Sequence, residues 1–448
     1  MLFEVLRNPT YQRLFGAQII ALLGTGLLTV ALGLLAFDAA GGEAGVVLGM
    51  VFFIKMVAYV GLSPLANAVV SRLPPRRVLV AMDLVRAAAA LCLPFVDSIW
   101  QIYLLIFVLQ GASATFTPTF QALIPEILPD ERQYTRALSL SRLAYDLENL
   151  VSPVLAGLAL LFVSYHWLFG GTTFGFLLSA LLVISATLPH RERGQQAQPF
   201  LDRLSRGMRI YLATPRLRGL LSLNLAAASI GAMVIVNTVV IVRAGFGLGE
   251  PQVAMALGAF GAGSMTAALL LPRLLDRLDD RTVMLAGAAV VSTLFLGLSL
   301  GLGSFTRPGW GGFLALWLVI GFCYAVVLTP SGRLLRRSAQ TADLSPVFAA
   351  HFALSHACWL VTYPLAGWLG ARLGMAETAL VLGLLAVAGV LTALFLWPVR
   401  GDKSVLEHVH TDLDPADPHI ANAVRTPHGW RHAHVFNIDD RHRRWPSH

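Results

Sequence analysis

Residues 14–37 read LFGAQIIALLGTGLLTVALGLLAF, a run of 24 residues without a charged side chain. The hydrocarbon core of a bilayer takes about 20 apolar residues of helix, so this run predicts a membrane-spanning helix. Its glycines do not argue against a helix, because membrane helices tolerate them. The run lacks a small-residue cleavage site and similar runs follow it, so we interpret it as a first span and not as a removed signal peptide.

Runs of the same kind continue along the chain. We predict twelve spans, at residues 14–37, 45–70, 78–96, 100–118, 137–163, 167–188, 219–242, 252–271, 283–303, 311–330, 347–370 and 377–397. Hydrophobic residues make up 56% of the chain and charged residues 13%, and that charged fraction is about half of the ~25% usual in soluble domains. The ten-residue alternating segments of membrane β-barrels are absent. The predicted fold class is therefore an all-α integral membrane protein.

Arginines concentrate in every second loop, which indicates the orientation of the chain. The arginine-rich side carries Arg7, Arg13, Arg72, Arg76, Arg77, Arg132, Arg136, Arg191, Arg193, Arg203, Arg206, Arg209, Arg216, Arg218, Arg273, Arg277, Arg281, Arg333, Arg336 and Arg337. The opposite loops hold only Arg243, Arg307 and Arg372. Because positively charged loops stay in the cytoplasm, we predict a multi-pass protein of the cell inner (plasma) membrane with both termini cytoplasmic.

Sequence motifs repeat between the first six and the last six spans. The Thr-Pro pair at 117–118 recurs at 329–330, an offset of 212 residues. The stretch PVLAG at 153–157 recurs as PLAG at 364–367, and its prolines are 211 residues apart. Since two independent pairs agree to one residue, we predict two six-helix pseudo-repeats, an architecture typical of secondary transporters with a site between the halves.

The repeats define four regions. Residues 1–188 form the first half, and residues 219–398 form the second half. The basic, polar stretch 189–218 is the predicted cytoplasmic linker, and 399–448 form a cytoplasmic tail. The tail has no long apolar run, so we expect it to have little stable fold.

The tail is rich in potential metal ligands, since it holds eight of the twelve histidines together with seven acidic residues. A first group combines two histidines and two aspartates within seven residues, and a second, weaker group has two histidines. The candidate ligands are His408, His410, Asp412, Asp414, His432 and His434. We predict metal binding on the cytoplasmic side, and a solvated tail whose histidines bind nothing remains the alternative.

Ionisable residues inside the predicted spans need a reason, because one at the bilayer centre costs about 2.5–3.5 kcal/mol on insertion scales. Lys55 lies near the middle of span 2, and span 5 carries Arg142, Asp146 and Glu148. Arg142 and Asp146 are four residues apart and can pair. One interpretation is that Arg142–Asp146 and Lys55–Glu148 are structural clamps. We favour the deeper Glu148 as a cargo or proton site.

The second half has no deep acid. It offers His356 in span 11 and Asn237 in span 7, and span 1 adds Gln18. By the 211-residue offset, His356 corresponds to Tyr145, beside Asp146. We predict that these residues line the translocation path for substrate or protons, with packing roles as the alternative. The predicted path also includes Glu148, Asp146, Arg142 and Lys55.

Several function classes are excluded by absent motifs. The chain has no GxxxxGK[ST] phosphate loop and no catalytic motif, so we expect neither ATP-driven transport nor an enzyme, and no cofactor. Basic patches interleaved with aromatic residues are absent, which excludes nucleic-acid binding. The expected partners are a transported ion or small molecule, protons and the lipid bilayer, and the chain is expected to be a monomer.

With twelve spans in two halves, the chain resembles the major facilitator superfamily. That family's loop between spans 2 and 3 has the pattern G-x-L-A-D-R-x-G-R-R, and residues 68–77 read AVVSRLPPRR. The arginines match, whereas Ser71 replaces the acidic residue and prolines replace the glycine. The resemblance implies that Arg72, Arg76 and Arg77 belong to a cytoplasmic gate loop.

The stretch FTPTFQALIPEILPDERQYTRALSLSRLAYDLENLVSPVLAG at 116–157 resembles the exporter branch that includes siderophore and macrolide efflux proteins. TPSGRLLRR at 329–337, SHACWLVTYPLAGW at 355–368 and the histidine-bearing tail make the whole chain most similar to nickel-resistance permeases of that superfamily. The resemblance implies proton-coupled antiport of nickel, or of cobalt, by alternating access, which confers metal resistance. Efflux of drugs or other small organic compounds is the alternative, and a membrane metal sensor is a third hypothesis.

Overall fold

The computed structural model describes residues 2–62, 73–188, 200–275, 277–299, 305–340, 343–402, 405–410, 417–420, 423–427, 429–439, 442 and 445–446. Its α-helices, in chain order, are α1 (Pro9–Ala40), α2 (Ala44–Val57), α3 (Pro75–Cys92), α4 (Ile99–Ile127), α5 (Glu131–Ala159), α6 (His166–Ser185), α7 (Phe200–Ala213), α8 (Pro215–Val240), α9 (Glu250–Leu275), α10 (Asp280–Gly297), α11 (Gly309–Leu328), α12 (Ser331–Arg337), α13 (Leu344–Arg372) and α14 (Met375–Leu396). Each predicted span overlaps one of these helices. The extra helices α7 and α12 lie outside the spans, and α7 falls in the predicted linker.

The apolar character of these helices confirms the predicted all-α membrane fold. Within the described ranges, nine continuous helical stretches are long and apolar enough to cross a membrane, and the first, Pro9–Gly61, contains both α1 and α2. Helices α5 and α13 are not among the nine. Helix α5 carries the charged residues of predicted span 5, as expected for a helix that faces other protein and not lipid.

Capping residues precede the apolar runs at α1, α4 and α5, where Asp130 is the residue that caps α5. The Asn8 side chain accepts hydrogen bonds from the backbone N–H groups of Thr10 and Tyr11, at 3.0 and 3.1 Å. Ser98 and Gln101 form a capping box before α4. These polar caps satisfy donors that a helix leaves unpaired at its first turn. These three helices therefore begin earlier than the apolar runs alone predict.

The contacts between the two halves follow the predicted repeat. Helix α2 packs on α13, and α5 packs on α9. These are spans 2 and 11, and spans 5 and 8. In the predicted repeat, span 2 corresponds to span 8 and span 5 corresponds to span 11. The two interfaces are therefore equivalent. The two prolines used to detect the repeat, Pro153 and Pro364, lie inside α5 and α13.

The bundle has two ends that differ in their packing. The tail end holds both chain termini and the helices α7 and α12, and the far end holds the connections α1–α2 and α8–α9. At the far end, a Cβ atom on Gly49 would lie 2.7 Å from the backbone oxygen of Tyr363, and one on Gly157 would lie 3.3 Å from the Cβ of Ala254. The halves therefore meet with almost no space at the far end.

The tail forms an antiparallel sheet, so the prediction of little stable fold is wrong. Strands β1 (Val405–His410), β2 (Val424–Thr426) and β3 (Gly429–Val435) pair in the order β1–β3–β2, with His408 opposite His432. The tail buries Leu406, Phe436 and Ile438 in one apolar cluster with residues of α7, α8, α12 and α14. The sheet is thus stabilised by burial against the second half, and not by a core of its own.

Candidate functional site

Four of the predicted metal-binding histidines lie on one face of the tail sheet. Successive side chains of a strand point to opposite faces, so His408 and His410 of β1 share a face. His432 and His434 of β3 share the same face, because His408 pairs directly with His432 and Leu406 pairs with His434. The sequence prediction of two separate ligand groups is therefore wrong: the strands bring both His-x-His pairs into one cluster.

Two further histidines, His419 and His442, join these four. The six side chains form two overlapping groups of four that share His408 and His419, and we call the whole set the histidine cluster: His408, His410, His419, His432, His434 and His442. The Nε2 atom of His408 lies 3.0 Å from that of His410, 3.1 Å from that of His432 and 3.1 Å from that of His442. The Nε2 atoms of His419 and His442 are 3.2 Å apart. Ring nitrogens that converge in this way are suited to holding one metal ion.

Hydrogen bonds on the outer side of three rings orient this cluster. The Nδ1 atom of His442 lies 3.0 Å from Oδ1 of Asp439, and that of His434 lies 2.8 Å from the backbone oxygen of Val435. The Nδ1 atom of His408 lies 3.2 Å from the backbone oxygen of Leu406. Each acceptor places the ring proton on Nδ1 and leaves the lone pair on Nε2, the arrangement that metal-ligating histidines use.

The environment of the cluster favours neutral imidazoles. Burial is the main cause that lowers the pKa of His408 and His419 to about 4, and neighbouring histidines lower it further. The same causes lower the pKa of His410 and His432. Because a metal ligand must present a free lone pair, the cluster is ready to bind at neutral pH without first losing protons.

Contacts with the second half fix the tail at the tail end of the bundle. Asp402 accepts hydrogen bonds from Arg337 at 2.7 Å and from the indole of Trp397 at 3.2 Å. Asp439, which orients His442, also accepts a hydrogen bond from Gln340 at 3.0 Å. A cleft of about 850 Å³ is lined by tail residues, which include His419 and His442 of the cluster, and by Arg206 and Gln340 of the bundle.

The sequence analysis missed His419 and His442 as members of the cluster, as well as the orienting role of Asp439. His419 lies in the short 3-10 turn Pro418–Ile420, outside the sheet. The alternation in VLEHVH and WRHAHV was a signal for strands that could have corrected the view of the tail. The predicted ligands Asp412 and Asp414 lie outside the described residues.

Inside the bundle, the structure places Glu148 against α1. A Cβ atom on Gly26 would lie 3.5 Å from the Cγ atom of Glu148. Lys55 of α2 and Glu148 of α5 interact electrostatically, although these two described side chains form no direct ion pair. Lys55 also lies over the ring of Tyr59, 5.9 Å from its centroid. The two intramembrane charges therefore belong to one electrostatic unit of the first half.

His356 extends this unit into the second half. It interacts electrostatically with Lys55, and its ring centroid lies 6.1 Å from that of Tyr59. Its Nδ1 atom lies 2.7 Å from the backbone oxygen of Phe352. Lys55, Glu148 and His356 thus link α2, α5 and α13, the helices through which the halves meet.

Two other predicted path residues make interhelical contacts. Gln18 accepts a hydrogen bond from Ser141 at 3.1 Å, which joins α1 to α5. Asn237 is fully buried and donates to the backbone oxygen of Ala366 at 3.0 Å. Its contacts favour the packing role for Asn237, because it joins α8 to α13 at the crowded far end.

The remaining predicted site residues fall into two groups. The side chains of Arg142 and Asp146, and residue Arg72, lie outside the described part of the chain. Arg76 donates to the backbone oxygen of Ala186, so it joins the start of α3 to the end of α6. Arg77 is exposed. The gate-loop role of these arginines stays a prediction.

Comparison with known protein families gives a match that covers most of the chain. The family model described as Major Facilitator Superfamily matches residues 14–242 and residues 220–436. An uncharacterized MFS-type transporter of Bacillus subtilis, YfiS, is 24% identical over 394 residues, which cover 85% of this chain and 92% of that protein. Macrolide efflux protein A of Streptococcus pyogenes is 22% identical over 207 residues, which cover 45% of this chain and half (50%) of that protein.

Solved structures of transporters share the fold. The nucleoside transporter NupG superimposes with a TM-score of 0.64 at 14% identity, covering 87% of this chain and 99% of that chain. The D-xylose-proton symporter superimposes with a TM-score of 0.65 at 14% identity, covering 88% of this chain and 96% of that chain. At such low identity these likenesses concern the fold alone.

Proposed function

Because the chain belongs to the Major Facilitator Superfamily, we propose that this secondary transporter works as an exporter in the cell inner membrane, with the tail end of its bundle in the cytoplasm. The macrolide efflux relative supports export as the direction of transport. The arginine-rich loops of the tail end support the cytoplasmic assignment, because positively charged loops are retained there.

The proposed cargo is a divalent transition metal, with nickel as the leading candidate and cobalt as the second. The observation that carries this proposal is that six histidines form two overlapping groups of four potential metal ligands, beside the end of the bundle proposed to be cytoplasmic. Imidazole nitrogens suit borderline divalent metals such as nickel. The histidine cluster would capture the ion from the cytoplasm and release it into the adjoining cleft.

The proposed translocation path runs between the halves, past Lys55, Glu148 and His356. Intramembrane ionisable groups mark ion pathways and proton relays. Glu148 would alternate between binding a proton and binding the cargo, and Lys55 would tune it through its charge. His356 would serve as a ligand or proton carrier on the opposite half.

The way in which the halves meet supports a mechanism of alternating access. The close approach of α2 to α13 at Gly49, and of α5 to α9 at Gly157, closes the far end. Rocking of the two halves about the central site would open these contacts and release the cargo outside. Proton entry from the outside would then reset Glu148, which makes the exporter a metal–proton antiporter.

Export of a small organic compound is the second candidate function, and the macrolide efflux relative favours it. In that case the same path would carry a lipophilic compound, and the histidine cluster would be a regulatory site. A membrane metal sensor would use the cluster without any flux. These hypotheses differ in whether nickel, an organic compound or nothing crosses the membrane.

Nickel flux into proteoliposomes under an imposed pH gradient tests the proposal. We expect the wild-type protein to move nickel only when the gradient is present. Glu148→Gln keeps the size of the side chain and should abolish the flux or make it independent of pH. The matched control is Glu377→Gln, which removes an acid in the first turn of α14 at the far end. Normal pH-dependent flux in Glu148→Gln would exclude Glu148 from coupling.

A further inference from the structure

We propose that the histidine cluster binds a single six-coordinate divalent ion, with one Nε2 atom of each histidine at a corner of an octahedron. The inference deepens the proposed function, on which it rests for the identity of the cargo. It concerns the number and arrangement of ligands, which can be measured on the purified protein whether or not nickel is transported.

The neighbour relations of the six rings are those of an octahedron. Each ring has four neighbours within the cluster, with ring centroids 4.6–5.2 Å apart. Among these fully described rings, each has one remaining partner that is not a neighbour. The three such pairs are His408 with His419, His410 with His434, and His432 with His442. A trigonal prism would give each ring three neighbours, whereas an octahedron gives four neighbours and one opposite corner.

The distances between nitrogen atoms fit one central ion. Neighbouring corners of an octahedron are separated by √2 times the distance from ion to ligand. The four Nε2 separations of 3.0–3.2 Å join His408, His410, His419, His432 and His442. They place a shared centre about 2.1–2.3 Å from these five nitrogens, within about 0.2 Å of the usual metal–imidazole distance. A tetrahedral centre would require about 1.8–2.0 Å, which is shorter than metal–imidazole bonds.

The hydrogen bonds at Nδ1 argue that a cation belongs at this centre. With their protons on Nδ1, His408 and His442 direct lone pairs at each other over 3.1 Å and cannot form a hydrogen bond there. The Nε2 atom of His434 is buried and has no hydrogen-bond partner among the described atoms. Lone pairs that converge without protons repel one another, and a divalent ion between them turns this repulsion into six bonds.

Six imidazoles in an octahedron discriminate among metals by geometry. Zinc is almost always four-coordinate in protein sites that have no open position, so it would use only part of the cluster. Copper(II) prefers tetragonal sites, in which two opposite ligands are weak. Nickel binds nitrogen ligands more strongly than cobalt, iron or manganese do. The cluster should therefore favour nickel over zinc more than a four-histidine site would.

X-ray absorption of the purified full-length protein loaded with one equivalent of nickel tests the coordination directly. We expect six nitrogen neighbours at about 2.1–2.2 Å, with the outer-shell scattering of imidazole rings. The cobalt-loaded protein should show the weak visible absorption of six-coordinate cobalt, and not the intense bands of tetrahedral cobalt. A four-coordinate spectrum, a shell with fewer than six nitrogens, or the absence of binding would overturn the proposal.

Single substitutions distinguish six ligands from a subset of four. Alanine at each of the six cluster positions should weaken nickel binding at least about tenfold, the smallest effect expected even for a residue that only supports a ligand. Glu407→Gln is the matched control, because Glu407 lies on the opposite face of β1 and pairs with Arg431. His166→Gln, on α6, controls for the loss of any histidine. Unchanged nickel affinity at any of the six positions would refute six-fold coordination.

These measurements separate the inference from the proposed function. If nickel is six-coordinate but does not cross the membrane, the inference stands and the proposed cargo is wrong. If nickel is transported but bound by four histidines, the cargo stands and the octahedral site is wrong.

Discussion

Replacing Asp439 with alanine should weaken nickel binding by the tail about tenfold or more without removing a metal ligand. Asp439 accepts hydrogen bonds from the ring and the backbone N–H of His442, at 3.0 and 2.6 Å, and from Gln340 at 3.0 Å. The side chain of His442 is 3% exposed and that of Asp439 is 17% exposed, so water screens this interaction little. A hydrogen bond to a charged group contributes about 1.5–3 kcal/mol.

The lower limit of that range, about 1.5 kcal/mol, corresponds to about a tenfold change in the dissociation constant. It agrees with the 10- to 100-fold loss of affinity that follows removal of a residue that orients a metal ligand. Isothermal titration of the purified full-length protein with nickel measures the change. Asp439→Asn retains an acceptor oxygen and should lose less affinity than Asp439→Ala.

The control is Glu407→Gln, which removes a carboxylate from the same sheet on the face away from the cluster. Its nickel affinity should stay within about twofold of the wild type, because no ligand depends on it. Equal affinity of Asp439→Ala and wild type would refute the orienting role of Asp439. Equal losses in Asp439→Ala and Glu407→Gln would show that the sheet is merely sensitive to any lost carboxylate.

Four further outcomes are expected. Deleting 403–448 should raise the nickel concentration needed for half-maximal flux and leave the maximal rate nearly unchanged, because the path lies in the helices; unchanged concentration dependence would remove the tail from transport. Lys55→Met should impair flux, and a double-mutant cycle with Glu148→Gln should show coupling between the two charges; strictly additive losses would argue against it. Gly49→Ala should destabilise the closed far end by about 1–3 kcal/mol, because the added Cβ would lie 2.7 Å from a backbone oxygen of α13. The opening of the far end can be measured as increased labelling of cysteines introduced there. In the metal-free tail, the pKa values of His408 and His419 are lowered to about 4, below the ~6.5 of the unfolded chain. The unfolded tail therefore binds protons first, so the folded tail should lose stability as the pH falls from about 6.5 toward 4. Hydrogen exchange, corrected for its intrinsic pH dependence, should detect this loss, and constant protection would refute it.

The membrane fold could be predicted from the sequence because its cause is local. A helix must span about 30 Å of hydrocarbon, so each span leaves its own uninterrupted apolar run, such as 14–37. The repeat was visible as well, because Pro153 and Pro364 lie inside equivalent helices of the two halves and are followed by similar residues. Capping at Asn8 and Asp130 moved helix starts beyond the apolar runs, since caps are polar and no hydropathy pattern contains them.

The candidate sites show where sequence reasoning stops. Glu148 and Lys55 stood out because charge is expensive in a bilayer, yet their electrostatic link to each other and to His356 depends on the approach of α2, α5 and α13. No spacing in the sequence contains that information.

The tail shows most clearly which features the sequence determined and which only the tertiary structure decided. The sequence by itself supplied histidines, and the two His-x-His spacings already placed each pair on one face of a strand. Only the tertiary structure decided that β1 and β3 pair in the register that unites them, and that His419 and His442 complete the cluster. The physical reason is that an octahedral site needs ligands on all sides of one point. A single strand can offer ligands from only one side, so the other ligands must come from distant parts of the chain, brought there by the packing of the tail on the second half.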